Sequence, residues 1–548
     1  MEGELPSEFD LIVIGTGLTE SIIAAAASRI GKNVLHADSN SYYGGLWASF
    51  TLDSISKISG STPQSESDAT KECLTFGNNN FSITNIKEEW HVSEGNIEKL
   101  NECTIEDDPQ QIIENENWTK NKLLALSRKF NIDLLPKLHF ARGEFVELLI
   151  SSNIARYSEF RSVSRVLTWL NNKLEVVPCS RSDVFSSNNV TVVEKRMLMK
   201  LLNVCLDSTD QDFAEYENKT FHAFLKDQKL TANLIHYILY AIAMGTEKTS
   251  CRDGVERIKR FLNSLGRYGK TPFLYSMYGS GEIPQAFCRL SAVFGATYAL
   301  SQSLQGVVMD DKNNYKGIMC GNQQINSSKI VIGLDKAPKA FVDHIKPLRL
   351  SRGIFITDRS LLESEKEHLS LLLFPPMNDK NPVTILEMGS LTGTCPKGLY
   401  LVHMMTDQSN NPYDDLKYYV DTLFTKSAEN VNIEGGDVEN RPQLLWSFYF
   451  SVPVSNDFNF QKDLPNIFVC SGPDSDLDYD PSIKIAKGIF EKMYPDSEFL
   501  PRAPDPEEIV IEGDESNENE EILQKDLDEK CKQQNKQNEI TEAENNEA

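Results

Sequence analysis

The sequence predicts an α/β fold: a dinucleotide-binding, Rossmann-type domain on a mixed sheet, joined to a smaller all-α domain. Three observations predict it. Residues 9–50 alternate an apolar run, a glycine turn, a helical stretch and a second apolar run. Residues 190–244 carry apolar positions at helical spacing. After Tyr298, short apolar segments are separated by turn residues.

Taken in order, LIVIG is a short β-branched strand, ESIIAAAASRIGK is helical in composition and ends at Gly31, and VLHAD is a second strand. Together they open a parallel sheet. Residues 53–118 then turn polar and acidic, with SKISGSTPQSESDATKE and IEDDPQQIIENENW, and read as a largely disordered insert. Residues 119–145 return to the first domain, and 146–250 are expected to form the helical domain, carried by VTVVEKRMLMKLLNVC and LTANLIHYILYAIAM. From 251 to 504 the chain rejoins the first domain. A helix, DGVERIKRFLNSLGRYG, ends at Gly269, and LQGVVMDD, YKGIMCG and SKIVIG form a meander. A mixed sheet runs through ILEMGSLTGTCPKGLYLVHMM and PQLLWSFYF, and the helix SIKIAKGIFEKM closes the folded part.

Residues 505–548 hold sixteen acidic residues against four lysines and no aromatic residue, which predicts a disordered acidic tail. With a formal net charge of −25 the chain lacks the basic footprint of a nucleic-acid binder. Its ten cysteines are scattered singly, as in a reduced compartment. MEGELPSEFD has neither the basic region nor the apolar core of a signal peptide, and no window approaches a membrane span. A soluble, cytosolic protein is expected.

The glycine turn carries the functional question. In a dinucleotide-binding unit the first glycine permits the turn, the second lets backbone approach the pyrophosphate, and the third lets the helix pack closely on the strand. Gly15 and Gly17 are present, Asp38 stands 21 residues beyond Gly17 where an acid takes ribose hydroxyls, and Gly44-Gly45 extends the pattern to the flavin-binding variety. The third glycine is replaced by Glu20. Its charge sits in the first helical turn, where unpaired N–H groups attract anions. A pyrophosphate there meets like charge. At about 4 Å and an effective dielectric near 20 the repulsion costs about 4 kcal/mol, roughly a thousandfold in affinity. The alternatives are that Glu20 swings into solvent and the cofactor binds, and that Asp38 is only a strand-end turn residue. Near the other end, NIFVCSGPD (466–474) resembles a second cofactor-contacting segment interrupted by Pro473.

These residues carry a resemblance. FDLIVIGTGLTESIIAAAASRIGKNVLHADSNSYYGGLWASF, NIDLLPKLHFARGEFVELLISSNIARYSEF and SLGRYGKTPFLYSMYGSGEIPQAFCRLSAVFGATYAL are similar to blocks of the Rab escort protein and Rab GDP-dissociation inhibitor superfamily. PCSRSDVF, VEKRMLMK and CSGPDSDL extend the likeness over nearly all of the chain outside 53–118 and the tail. The acidic insert, the acidic extension, WASF and PCSRSDVF resemble the escort branch. The resemblance implies a flavin-reductase-like domain without flavin, plus a smaller helical domain. It implies a non-catalytic role with no cofactor. Newly made, GDP-bound Rab GTPases are presented to the heterodimeric geranylgeranyltransferase, and the lipidated product is shielded and delivered to membranes.

The same resemblance places a GTPase platform at Tyr43, Asn263, Arg267, Met277 and Glu282, of which the aromatic, the guanidinium and the thioether are types enriched at interfaces. Each has a plainer alternative: Tyr43 packs the turn before Gly44, Met277 is core, Arg267 forms an internal ion pair. Phe185 and Arg196 fall where escort proteins contact the transferase, the alternative for Phe185 being burial against the following helix. Lining for a geranylgeranyl group is expected from Leu198, Leu201, Leu202, Ile235, Ile238 and Leu239, which equally suit a helix-bundle core. No HExxH, GxSxG or GxxxxGK[ST] pattern is present. Two other functions stay open at this point, a GDP-dissociation inhibitor recycling lipidated Rabs and an FAD-dependent oxidoreductase.

Overall fold

In the computed structural model the described residues are 5–58, 73–77, 81–95, 118–186, 191–207, 209–377, 380–426, 441–455 and 464–502. Strand β1 (Glu8–Ile14), helix α1 (Leu18–Arg29) and strand β2 (Val34–Ala37) form the predicted opening unit. The helix stops where expected because Gly31, at φ +78°, takes the left-handed position that ends helices. β1 pairs in parallel with β2 and with Gln323–Gly333, matching Ile12 to Leu35 and to Ile330. Thr297–Ala299 extends the parallel part beyond β2, and Ile467–Cys470 pairs with Gln323–Gly333. The predicted meander, Leu304–Met309 and Tyr315–Cys320, adds antiparallel strands, so this eight-stranded sheet is mixed.

The alternation along β1 divides two cores. Leu11 and Val13 face α1 and the helices Glu282–Val293 and Asp480–Met493, while Ile12 and Ile14 face a second apolar cluster with Leu35, Ile318 and Phe341. Every residue from Leu18 to Ser28 of α1 is buried, so the helix is enclosed on all sides, with Thr19, Glu20, Ser21 and Ser28 as its buried polar residues.

A second, nine-stranded sheet runs Lys173–Val176, Arg165–Leu170, Ser370–Phe374, Val383–Met388, Tyr400–Asp407, Leu348–Thr357, Gln443–Val454, Thr425–Lys426, with Thr84–Trp90 also on Gln443–Val454. Two features depart from the sequence reading. Thr84–Trp90 is a strand inside the stretch read as a disordered insert, interrupted by a bulge near Asn85 and stabilised by pairing with Gln443–Val454, more than 350 residues away in the chain. The range 146–250, expected to be helical, opens on the helix Glu144–Ser151 but then carries strands at Phe160–Ser162, Arg165–Leu170 and Lys173–Val176. Asn171 and Asn172, at φ +53° and +61°, make the two-residue turn between the last two, a turn type asparagine tolerates. The remainder of the expected insert disorder (59–72, 78–80, 96–117) and the tail (503–548) lie outside the described residues.

The helices Val192–Asp207, Phe221–Asp227, Ala232–His236 and Cys251–Ser264 follow. The first starts at a capping box: Thr191 Oγ1 accepts from Glu194 N, and Glu194 Oε2 accepts from Thr191 N. Rather than forming a separate core, these helices share one apolar cluster with the nine-stranded sheet, joining Leu198, Phe224 and Ile258 to Ile354, Leu371 and Phe448. The last ends at Ser264, five residues before Gly269, as Leu265 turns extended and Gly266 goes left-handed.

Candidate functional site

The turn after β1 is built around Asp38. Its Oδ2 accepts from Thr16 N at 2.9 Å and Thr16 Oγ1 at 2.8 Å, its Oδ1 accepts from Asn40 N at 2.9 Å, and Lys336 Nζ stands 3.7 Å away. The same Thr16 accepts from Gly44 N through both its carbonyl and its hydroxyl. Asp38 therefore holds the glycine turn to the loop that carries Tyr43. Beside it, His36 Nε2 donates to Gly15 O and Nδ1 accepts from Tyr298 O–H; burial lowers the ring to about 4, so it is neutral.

Glu20 turns inward. It is 5% exposed, and its carboxyl fills the space above Gly17, where a Cβ would come 2.6 Å from Oε2, and the space beside Gly333, where a Cβ would be closer still. Its own backbone N–H bonds to it, as the sequence suggested. Its charge differs from the expectation. Burial, with Asp335 next, raises it from 4.5 to about 8, so at pH 7 the group is mostly protonated. Like-charge repulsion is thus replaced by a volume effect: the carboxyl occupies the approach a pyrophosphate requires. The remaining cleft, walled by Leu46, Trp47, Asp335, Lys336, Pro453 and Pro473, has a cavity volume of about 30 Å³, room for water. A flavin dinucleotide does not fit these residues. Pro473 donates no hydrogen bond from its nitrogen; its carbonyl accepts from Ser455 N at 2.8 Å.

A buried knot on Asp133 ties together elements that carry three of the residues expected at the platform. Its carboxylate accepts from Ser49 Oγ (2.5 Å), Ser280 N (2.9 Å to each oxygen) and Tyr275 O–H (2.8 Å), and Ser49 Oγ accepts from Gly281 N (3.0 Å). Ser49 ends the loop bearing Tyr43; Ser280 and Gly281 lie in the turn between Met277 and Glu282. The structure so brings Tyr43, Met277 and Glu282 onto elements tied to one anchor. Tyr43 is half-buried and meets Tyr298 edge-on at 6.0 Å, Met277 is half-buried, and burial raises the Glu282 carboxyl. Asn263 and Arg267 sit at the other end of the strand Phe273–Ser276, at and just past the end of the helix Cys251–Ser264. Asn263 is exposed. Arg267 has the internal partners the plainer alternative foresaw: Nη1 donates to Ala141 O at 2.8 Å and to Glu147.

On the helical side, Phe185 is 68% exposed, with Val192 and Val193 exposed to 67% and 66% and Arg196 exposed as well. Lys195 Nζ donates to Phe185 O at 2.8 Å, joining the segment Arg181–Ser186 to the helix Val192–Asp207. The alternative of a buried Phe185 does not hold.

A family model described as GDP dissociation inhibitor matches residues 5–79 and 110–441. The chain belongs to the GDP dissociation inhibitor family. It is 38% identical to a Drosophila melanogaster protein named Rab proteins geranylgeranyltransferase component A, with 96% of each chain covered. It is 35% identical to the Homo sapiens protein named Rab proteins geranylgeranyltransferase component A 1, covering 94% of this chain and 95% of that one. The solved structure of RAB GDI from Plasmodium falciparum superposes with a TM-score of 0.62 at 20% identity, covering 90% of this chain and all of the other, a likeness of fold. The resemblance drawn from the sequence blocks is borne out at the level of this family.

Against that family background, the six aliphatic residues expected to line a lipid groove are core. Leu198, Leu201, Leu202, Ile238 and Leu239 are buried in the largest apolar cluster and Ile235 packs on it. No described helix is long and apolar enough to cross a membrane. The sequence reading missed Asp133 and Lys137. Lys137 is fully buried; its Nζ donates to Asp474 Oδ1 at 2.6 Å and to Asp474 O at 3.0 Å. Two opposite charges inside the apolar run NIDLLPKLHF were the available signal, because charge is kept in a core only when paired. Also missed were two exposed side chains, Tyr278, which follows Met277, and Leu391, which precedes the Thr392 whose carbonyl takes the Tyr278 N–H.

Proposed function

We propose that this chain is a Rab escort factor: it binds newly made, GDP-bound Rab GTPases, presents them to a two-subunit Rab geranylgeranyltransferase, and chaperones the lipidated product from the cytosol to membranes. The observation that carries this reading is full-length similarity to proteins named as component A of that transferase. The chain acts by holding two partners at once. A GTPase seated on Tyr43, Asn263, Arg267, Met277 and Glu282, and a transferase seated on Phe185 and Arg196, meet at an effective concentration set by the scaffold rather than by bulk solution. Catalysis belongs to the transferase. No flavin takes part, because Glu20 fills the place of its pyrophosphate.

The exposed Phe185, joined by Lys195 to the helix that carries Arg196, favours escort over a GDP-dissociation inhibitor that only recycles lipidated Rabs, since an aromatic exposed by two thirds suits a small hot spot. The lipid is received among the helices around Leu198, Leu202 and Ile238 once they part, and its burial supplies about 25 cal/mol per Å² removed from water. GTPase recognition then falls to elements around the Rossmann-type sheet, and transferase and lipid binding to the helices that share the core of the nine-stranded sheet. Rab geranylgeranylation by purified transferase, with and without this chain, tests the proposal: lipid transfer that depends on the chain is expected, and transfer indifferent to it refutes the escort role.

A further inference from the structure

We propose that Tyr278 and Leu391 form an apolar hot spot that continues the GTPase platform beyond Met277, with Tyr278 held in a strained backbone conformation to keep its ring at the surface for the GDP-bound Rab. This rests on reading Met277 and Arg267 as platform residues.

Tyr278 has φ +65°. A bulky L-residue rarely occupies that region, and strain of this kind persists only where the surroundings impose it. Glycine would adopt the same backbone without hindrance, as Gly279 does next to it at φ +107°. The tyrosine does not repay its strain by burial, for it is 47% exposed. The surroundings that impose it come from the other sheet. Tyr278 N donates to Thr392 O at 2.9 Å, and the ring lies on Gly393, where a Cβ would come 2.5 Å from ring carbon Cδ1. That loop, between the strands Val383–Met388 and Tyr400–Asp407, is itself braced. Leu391 N donates to Glu367 Oε1 at 2.7 Å, Asn131 Nδ2 to Gly393 O at 2.7 Å, and Arg161 Nη1 to Leu391 O at 3.0 Å. The brace presents Leu391, 44% exposed, one residue before the Thr392 whose carbonyl takes the Tyr278 N–H.

The result is an aromatic and an aliphatic side chain on rigid supports, with Arg161 and Glu159 exposed around them. An apolar centre with a polar rim is the anatomy of a protein–protein hot spot. The rim chemistry favours a protein over an anionic lipid surface: Arg161 is accompanied by the carboxylates of Glu159 and Glu367, so the patch has no cationic excess. The partner proposed for the neighbouring Met277 is the GTPase, which then offers a complementary apolar surface there.

The test is titration calorimetry of the full chain with a GDP-loaded Rab, run beside thermal melts. Tyr278→Gly removes the ring and relieves the backbone. The expected result is affinity lower by roughly tenfold or more with a melting temperature unchanged or raised, a combination a merely structural tyrosine does not give. Leu391→Ala is expected to weaken binding in the same direction. Wild-type affinity in both variants overturns the proposal, whatever Arg267 does. Loss of affinity that tracks a lowered melting temperature in Tyr278→Gly also overturns it, as does a loss confined to transferase binding. Unaltered affinity in Arg267→Glu instead overturns the platform reading and is scored separately.

Discussion

The carboxyl of Glu20 lies over Gly17, filling the space through which that glycine would let a pyrophosphate approach the backbone. Nothing in the turn has to be distorted for this. Gly15 keeps its left-handed φ of +96°, Thr16 keeps its bonds to Asp38, and one side chain converts a ligand cradle into protein interior.

The pH dependence of stability is the first consequence. Glu20 has a folded-state value near 8 against 4.5 when unfolded. A raised value means the folded state holds the proton more tightly, so the contribution is fully present below pH 4.5 and is lost as pH rises through about 8. Glu20→Gln, neutral at every pH, should match the wild type at pH 4.5 and exceed it at pH 9 by on the order of a few kcal/mol. Chemical denaturation at the two pH values measures this; parallel curves for both proteins contradict it.

Removing the flavin-like role has a direct readout as well. Protein purified from cells should be colourless, without visible flavin absorption. A tightly held flavin in that material contradicts the reading of Glu20 as an obstruction.

Lys137 is a buried cation whose loss should damage the fold. Lys137→Met leaves Asp474 buried without its partner, and breaking one side of such a pair costs about 3–5 kcal/mol. Urea titration should show the midpoint falling accordingly. A variant as stable as the wild type would mean Asp474 finds water instead.

Phe185→Ala should weaken association with the transferase by roughly tenfold while leaving binding of GDP-bound Rab unchanged, because Phe185 is exposed and contributes little to the core. Surface-immobilised binding of each partner in turn measures the split. Equal affinity for the transferase removes Phe185 from that interface.

Arg267→Glu should weaken GTPase binding at least tenfold. Because the substitution also removes the hydrogen bond to Ala141 O and faces Glu147 with a like charge, thermal melts are run beside the binding measurement, and a loss of affinity counts only where the variant remains folded. Calorimetry with GDP-loaded Rab decides it.

How much was legible beforehand follows from the range of the interactions. The opening βαβ unit could be read because its signals are local: β-branched runs, an alanine-rich helix and Gly31 at its end. The hairpin at Asn171-Asn172 was equally local but was passed over for the stronger helical periodicity that follows it. Thr84–Trp90 could not be read from its own residues, which are polar and charged, because its order comes from pairing with Gln443–Val454.

By itself the sequence determined the Rossmann-type opening, the loss of the third glycine, the acidic character of insert and tail, and the family. Only the tertiary structure decided that Glu20 points inward and is largely uncharged at pH 7, that Phe185 is exposed while Leu198 and Ile238 are core, and that Asp133 ties the Tyr43 loop to the Met277 turn. The physical reason is that residue type sets what a side chain is able to do, whereas burial and charge state depend on neighbours that arrive from hundreds of residues away.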